Sequence, residues 1–232
     1  MKIIIDTKEN IASLASDQFI NLLKRKPNAV LGLATGSTPI DTYKQIIKKA
    51  KEQNISFKDV KTFNLDEYVN YPFYEASYRF FMDDNLFNHV DINKENTHFP
   101  SHENYLDYDN QIKACGGVDL QILGIGANGH IGFNEPNTPF DSLTHVTDLQ
   151  RKTIEDNARF FSSIDEVPTK AITMGLTTIM NSKEIILIAL GENKSDAIKA
   201  LVDNVGVSCP ASILNGHDNV TIYCDKAAAS KL

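Results

Sequence analysis

The chain has few cysteines and no long apolar segment. Its three cysteines, Cys115, Cys209 and Cys224, are widely spaced and form no Cys-x-x-Cys pair, which argues against a disulfide framework and against a structural zinc site. No apolar run approaches the ~20 residues that a membrane-spanning helix needs. The start, Met1 to Asp6, becomes acidic too soon for a signal peptide. We therefore expect free thiols in a cytoplasmic protein that does not enter membranes.

Basic residues are also fewer than acidic residues. The 23 Lys and Arg residues are outnumbered by 30 Asp and Glu residues, so the net charge is −7. No basic stripe with interleaved aromatic residues occurs, and a nucleic acid would be repelled on average. An anionic ligand such as a phosphate would have to be held by local contacts, because the long-range field opposes its approach.

Strands and helices alternate along the whole sequence. Hydrophobic residues make up 42% and charged residues 23% of the 232 positions, as in ordinary globular proteins. Apolar runs that alternate with helical patterns predict strands at 2–6, 29–34, 60–65, 118–125, 170–174, 184–190 and 220–224. Short apolar strands are typical of a parallel sheet with helices on both faces. We predict a single α/β domain, residues 1–232, with a mainly parallel, Rossmann-like sheet that binds its ligand beyond the carboxyl ends of the strands.

The first candidate binding segment, ATGSTP (residues 34–39), follows the predicted strand at 29–34. Gly36 allows a ligand to approach closely, Ser37 and Thr38 offer hydroxyl and N–H groups, and the following helix adds about half a positive charge. Together these features suit an anion cradle. A capped strand–helix turn explains the same residues equally well, and the Gly-Lys-Ser/Thr of a Walker loop does not follow.

Charged residues stand at two further predicted strand ends. Asp66 and Glu67 follow the strand at 60–65 and suit a general base, a metal ligand or a ribose contact, although a solvated turn is the commoner reason for such a pair. Lys194 follows the strand at 184–190 and could reach an anion above the sheet. An isolated lysine, however, is usually a surface residue.

The segment GIGANGHIGFNEP (residues 124–136) has the most distinctive pattern. It holds four glycines within nine residues, so its backbone must follow an unusual path. His130 and Glu135 are five residues apart, which lets the carboxylate fold back and orient the imidazole as a proton shuttle. A lone histidine in a polar loop is more often simply exposed. A glycine-rich segment of this length loses much conformational entropy on folding, however, and this favours a functional loop.

The four segments should meet, because the carboxyl ends of parallel strands lie at one rim of a sheet. Arg159, within NARFF (residues 157–161), supplies a second cation flanked by aromatic residues. Charge-assisted hydrogen bonds of ~1.5–3 kcal/mol each could bind a phosphate at such a rim despite the net negative charge.

In this combination the sequence resembles the glucosamine-6-phosphate deaminase family, over nearly the whole chain. The resemblance rests on ATGSTP (34–39), NLDEY (64–68), GIGANGHIGFNEP (124–136), NARFF (157–161) and LGENK (190–194). Members convert glucosamine 6-phosphate and water into fructose 6-phosphate and ammonia, without a metal or an organic cofactor. The resemblance therefore implies a cofactor-free hydrolase of amino-sugar catabolism with a deaminase/isomerase-type fold.

The resemblance also implies roles for individual residues. Asp66 would take the C2 proton of the sugar and return it at C1. His130, together with Glu135 and Asn128, would open the pyranose ring. The phosphate would be held by the remaining site residues, which are Gly36, Ser37, Thr38, Arg159 and Lys194.

Two features depart from other members of that family. Position 128 is Asn where some members carry Asp, and an amide cannot take a proton from His130. Longer, hexameric members are activated by an N-acetylated amino-sugar phosphate that basic residues bind, whereas Leu143–Thr147 contains no Lys or Arg and the chain ends at Leu232. We expect no such activation, and a monomer or small homo-oligomer.

Two other functions fit part of the pattern. A 6-phosphogluconolactonase or a pentose-phosphate isomerase would share the phosphate cradle, but a lactonase would not need Asp66 as a base that acts on carbon. A sugar-phosphate sensor attached to a transcription regulator would bind without turnover and would normally carry a DNA-binding segment. No basic helix-turn-helix pattern precedes residue 30 or follows residue 220.

Overall fold

A seven-stranded parallel sheet forms the centre of the protein. The computed structural model describes residues 1–69, 74–158, 161–203 and 205–232. The strands of the central sheet are β1 (Lys2–Ile5), β2 (Val30–Leu33), β3 (Lys61–Asn64), β5 (Thr97–His98), β6 (Leu120–Gly124), β9 (Ile185–Ala189) and β10 (Val220–Cys224). Their order is β1-β10-β9-β6-β2-β3-β5, and each neighbouring pair is parallel.

Helices flank this sheet and cover its apolar strands. They are α1 (Lys8–Arg25), α2 (Ile40–Glu52), α3 (Tyr78–Asn85), α4 (Tyr105–Ala114), α5 (Arg151–Asn157), α6 (Leu176–Met180) and α7 (Ser195–Asp203). Every residue of β2, β9 and β10 is buried, as expected for strands covered on both faces. The predicted fold, one α/β domain with a mainly parallel sheet, is confirmed. Within the described part of the chain, no helix is long and apolar enough to cross a membrane.

A second, antiparallel sheet lies beside the site. It contains β4 (Asp66–Tyr68), β7 (His145–Asp148) and β8 (Lys170–Thr173), in the order β4-β8-β7. The sequence predicted β8 but neither of its neighbours. Asp66–Tyr68 is thus a short strand of its own and not a solvated turn at the end of β3. Strands of three or four residues with several polar side chains show too little alternation to be recognised.

The strand order reverses between β2 and β6. The chain continues from β2 to β3 on one side and from β6 to β9 on the other, while β2 and β6 pair with each other, Leu31 opposite Leu120. The loops that leave such neighbours diverge, and open α/β sheets bind ligands in the resulting crevice. Here these loops carry residues 34–39 and 124–136.

Candidate active site

A cleft of about 200 Å³ lies at this reversal of strand order. Most of the site residues predicted from the sequence line it, namely Gly36, Ser37, Thr38, Asp66, His130 and Lys194. Arg159, the other predicted phosphate ligand, lies outside the described residues. Asn128 and Glu135 do not line the cleft but contact His130 or each other behind it. The cleft therefore joins groups from four strand ends.

The predicted anion cradle connects β2 to α2. Tyr43 of α2 fixes the start of this loop, because its hydroxyl donates to Ala34 O at 2.6 Å and accepts from Ala34 N at 3.2 Å. Gly36 has a φ of 87°, which a residue with a side chain rarely adopts. The loop ends at the first turn of α2, where the helix dipole favours an anion.

Lys194 reaches the cleft from the end of β9. It lies in a short 3₁₀ turn, Glu192–Lys194, that begins after Gly191. Gly191 has a φ of 91°, and its N–H lies 3.0 Å from both carboxylate oxygens of Asp225. This contact fixes the turn relative to the end of β10, and Lys194 lines the same cleft as the cradle.

Asp66 is a buried carboxylate at the start of β4. The backbone on its N-terminal side is held between the two sheets, since Leu65 N donates to Leu33 O at 3.0 Å and Leu65 O accepts from Met174 N at 2.6 Å. Burial, with a smaller contribution from the negative charge of Glu67, raises the pKa of Asp66 to about 8. A carboxyl group with this pKa is suited to accept a proton from carbon near neutral pH.

Glu67 has different surroundings from Asp66, although the two are adjacent. Its side chain accepts hydrogen bonds from the backbone N–H groups of Tyr68, Tyr78 and Arg79, each at 3.0 Å. Glu67 is not among the residues that line the cleft. Of the acidic pair, therefore, only Asp66 is placed to act on a ligand.

His130 and Glu135 form an imidazole–carboxylate pair. The Nδ1 atom of His130 lies 3.3 Å from Oε2 of Glu135, but within the described residues Nδ1 makes no hydrogen bond of acceptable geometry. We regard the two groups as paired because of the short distance, since hydrogen bonds between catalytic groups are often long or poorly aligned before substrate binds.

The surroundings of Glu135 keep its carboxylate ionised. Burial alone would raise its pKa, but the contact with His130 and the hydrogen bonds from Thr153 and Asn128 outweigh burial and lower the pKa. Asn128 Nδ2 donates to Glu135 Oε2 at 2.8 Å, and the Thr153 hydroxyl donates to Oε1. An Asp at position 128 would instead place a second carboxylate against Glu135. The amide of Asn128 thus suits this site as a hydrogen-bond donor.

The sequence motifs do not include three residues that line the cleft or hold the loop beside it. Thr153 of α5 and Tyr78 of α3 line the cleft, and Thr173 of β8 accepts the N–H of Phe133 at 3.0 Å. None of them belongs to a strand-end motif of the central sheet. Their positions follow from long-range packing, for which a single sequence carries no local signal. In the described residues, no group of three or more His, Cys, Asp or Glu side chains could hold a metal ion.

Replacing Gly126 by Ala is expected to reduce kcat by about 10²-fold, because it displaces the imidazole of His130. A methyl group at Gly126 would lie 2.3–2.5 Å from three atoms of that ring. Steady-state kinetics with the substrate proposed below measures the effect. The control is Gly216→Ala, where the nearest atom to an added methyl, in Met180, lies 3.9 Å away. Equal kcat values for the two variants would contradict the prediction.

Asp66 should make folding stability depend on pH. Its folded-state pKa is raised above the ordinary value of 3.8, so its contribution to stability is full below pH ~4 and is lost as the pH rises through the folded-state pKa. The stability of the Asp66→Asn variant relative to wild type should therefore increase from pH 5 to pH 9, by roughly 5 °C or more in Tm. Thermal unfolding at both pH values measures this, with exposed Asp59→Asn as control. If the difference in Tm between the variant and wild type did not change with pH, the folded-state pKa of Asp66 would not be raised.

Known proteins share both the sequence and the fold of this chain. Residues 6–223 match the family model described as glucosamine-6-phosphate isomerases/6-phosphogluconolactonase. The chain is 52% identical over 235 residues to a glucosamine-6-phosphate deaminase of Mycoplasma mycoides, covering 99% of this chain and 96% of that relative. It is 53% identical over 226 residues to one of Clostridium novyi, covering 94% of each.

The solved structure of a monomeric glucosamine-6-phosphate deaminase superposes with a TM-score of 0.96 at 42% identity and covers 100% of both chains. The 6-phosphogluconolactonase of Trypanosoma brucei gives a TM-score of 0.78 at 17% identity, covering 100% of this chain and 98% of that one, and this likeness concerns the fold alone. From the family match and the relatives of about half-identical sequence, we conclude that the chain belongs to the glucosamine-6-phosphate isomerase/6-phosphogluconolactonase family.

Proposed function

We propose that this protein is a glucosamine-6-phosphate deaminase, which converts glucosamine 6-phosphate and water into fructose 6-phosphate and ammonia. The observation that carries the proposal is the pairing of a buried carboxylate, Asp66, with an imidazole–carboxylate pair, His130 and Glu135, around one anion-binding cleft. The relatives of 52% and 53% identity that carry this activity in their names support it.

The phosphate group fixes the substrate at one end of the cleft. A helix start, hydroxyl groups and a lysine surround this end and together offset the charge of a phosphate dianion. The residues that we assign to this binding are Gly36, Ser37, Thr38 and Lys194, with Arg159 as a second cation.

Ring opening is the first chemical step. His130 takes the proton of the anomeric hydroxyl and delivers a proton to the ring oxygen, which breaks the C1–O5 bond and leaves an aldehyde at C1. Glu135 stabilises the imidazolium that forms in between, and Asn128 holds Glu135 in place through its 2.8 Å hydrogen bond. The step moves protons only within the site, so no cofactor has to enter it.

Asp66 then performs the isomerisation. The aldehyde at C1 acidifies the C2 proton, which Asp66 removes to give an enolamine. Asp66 returns this proton to C1, which leaves an imine at C2. Water adds to the imine and ammonia departs, which yields the C2 ketone of fructose 6-phosphate. Since Asp66 must be ionised to accept the proton, kcat/KM should fall as the pH drops below the raised pKa of this group.

A buried base that acts on carbon distinguishes this function from lactone hydrolysis on the same fold. Hydrolysis of a lactone needs attack by water on a carbonyl carbon and no transfer of a proton between neighbouring carbons. A carboxyl group with a pKa near 8 inside the cleft would have no function specific to that reaction. The likeness to lactonases at 17% identity concerns the fold.

The proposal is tested by following ammonia and fructose 6-phosphate together in purified, metal-free protein supplied with glucosamine 6-phosphate. We expect equal release of both. N-acetylated substrate should yield neither, because the amide at C2 lacks the free amine that leaves as ammonia. Binding of glucosamine 6-phosphate without product would favour a sensor, and turnover of a phosphogluconolactone alone would favour a lactonase.

We further propose the setting in which this activity operates. Residues 1–232 act as one catalytic domain, in the cytoplasm, with a small-molecule substrate and with neither nucleic acid nor membrane as a partner. A monomeric deaminase of the same fold supports a monomer or small homo-oligomer of the short, non-allosteric type. Sigmoidal kinetics that an N-acetylated amino-sugar phosphate relieves would contradict this part of the proposal.

A further inference from the structure

We propose that Glu67 is a positioning residue for this reaction, because its carboxylate holds the strand that carries Asp66 against the start of α3, which forms one wall of the cleft. This inference rests on the proposed function. Glu67 belongs to the NLDEY segment but does not line the cleft, so it would act through Asp66 and Tyr78 and not on the substrate itself.

The contacts of Glu67 cross from β4 to α3. Oε1 accepts from Tyr78 N and Oε2 from Arg79 N, both at 3.0 Å, and Oε1 also accepts from Tyr68 N at 3.0 Å. The first N–H groups of a helix have no partners within the helix. Ser77 caps the same helix, because its hydroxyl accepts from Phe80 N at 3.1 Å. The start of α3 is therefore fixed largely by one carboxylate from a different element.

The wall that Glu67 holds is aromatic. The ring of Tyr78 lies 4.8 Å from that of Tyr68 and 6.1 Å from that of Phe133, and the Tyr78 hydroxyl lies 3.2 Å from that of Tyr68. These rings exclude water on the side of the cleft where Asp66 is buried. If the start of α3 moved outward, Tyr78 would move with it and Asp66 would become more accessible to solvent.

The negative charge of Glu67 also acts on Asp66 and raises its pKa. The titratable groups that face Asp66 from the surrounding elements are Tyr43 of α2, Tyr68 of β4, Tyr78 of α3 and Tyr108 of α4, with His130 and Lys194 in the cleft. Burial raises the pKa of each of these phenols, so they stay neutral. Arg79 is committed elsewhere: it donates to Thr97 Oγ1 at 2.5 Å and stacks 4.3 Å from the Phe99 ring centre.

Two substitutions separate position from charge. Glu67→Gln removes the charge and places an NH₂ group against a backbone N–H. We expect it to lower kcat by about 10–100-fold, to leave KM within about threefold, and to move the acid limb of kcat/KM to lower pH. Glu67→Asp keeps the charge but is too short to reach both elements, so it should lower kcat and move that limb in the same direction by a smaller amount, because only the exposure of Asp66 changes. Exposed Glu95→Gln is the matched control.

Hydrogen exchange of the Tyr78 and Arg79 amides tests their hydrogen bonds to Glu67 independently of enzymatic activity. Both amides should exchange faster in Glu67→Gln and in Glu67→Asp than in wild type and in Glu95→Gln. A merely structural role would lower Tm and kcat but leave the acid limb of the remaining activity unmoved, and this result would overturn the inference. Wild-type kcat in both variants would overturn it as well. If Glu67→Gln does not fold, kcat and amide exchange in Glu67→Asp decide.

Failure of the proposed function has a different signature. Wild-type protein that releases no ammonia would contradict that function. If the wild type is active and the Glu67 variants have the same kcat and pH profile, only the role of Glu67 is contradicted.

Discussion

Replacing Asp66 by Asn is expected to lower kcat for ammonia release by about 10³–10⁴-fold, the upper part of the range for loss of a general base. Asn has the size of Asp but cannot accept the C2 proton. The cradle that binds the phosphate is carried by a different strand end, and the variant should therefore bind substrate about as tightly as wild type does. The loss should appear in kcat and not in KM.

Deuterium exchange locates the lost step. Wild-type protein in heavy water should place deuterium at C1 of fructose 6-phosphate in part of the turnovers, because the proton held by Asp66 can exchange with solvent before it is returned, whereas Asp66→Asn should place none. Asp59→Asn is the control, because it makes the same substitution at an exposed position before β3. A variant that binds substrate and still releases ammonia at more than a tenth of the wild-type rate would show that another group is the base.

The fold could be predicted from the sequence wherever strands are apolar on both faces. β2, β6, β9 and β10 are short, mostly apolar runs of mostly buried residues, and burial of this kind leaves a direct trace in the sequence. The sequence carries no such pattern for β4 and β7, because their pairing with β8 depends on backbone hydrogen bonds between segments about 25 to 105 residues apart. The second sheet therefore had to come from the structure.

The site divides in the same way. Gly36, Asp66 and His130 follow predicted strands, and parallel topology brings such ends to one rim whatever the details of packing. Thr153 and Tyr78 come from α5 and α3, which contribute to the cleft only through tertiary contacts with Glu135 and Glu67. The motifs thus indicated which groups meet at the cleft, and the structure was needed to show what holds them.

Two carboxyl groups of one site differ here because their surroundings differ. Asp66 is buried beside another negative charge, and its pKa is raised to about 8. Glu135 is also buried, but an imidazole and two hydrogen-bond donors lower its pKa. Groups whose pKa values are moved apart in this way suit different tasks. Asp66 can exchange a proton with carbon, while Glu135 stays charged and supports His130.

This division predicts that His130→Asn lowers kcat by about 10²–10³-fold through loss of ring opening alone. The closed pyranose would then have to open in solution before Asp66 could act. An open-chain analogue, 2-amino-2-deoxyglucitol 6-phosphate, has no ring to open, and the variant should bind it with wild-type affinity. Exposed His102→Asn is the control for the substitution itself.

Glu135→Gln should give a smaller loss in kcat, because the imidazole remains and only the charge that stabilises its protonated form is removed. The amide of Gln can still accept a hydrogen bond from Asn128, so the loop should keep its shape. Comparing the affinity of each variant for the open-chain analogue with its kcat for glucosamine 6-phosphate separates the two roles. If His130→Asn lost affinity for the analogue as well, His130 would be a binding residue, and the ring would have to be opened by another group.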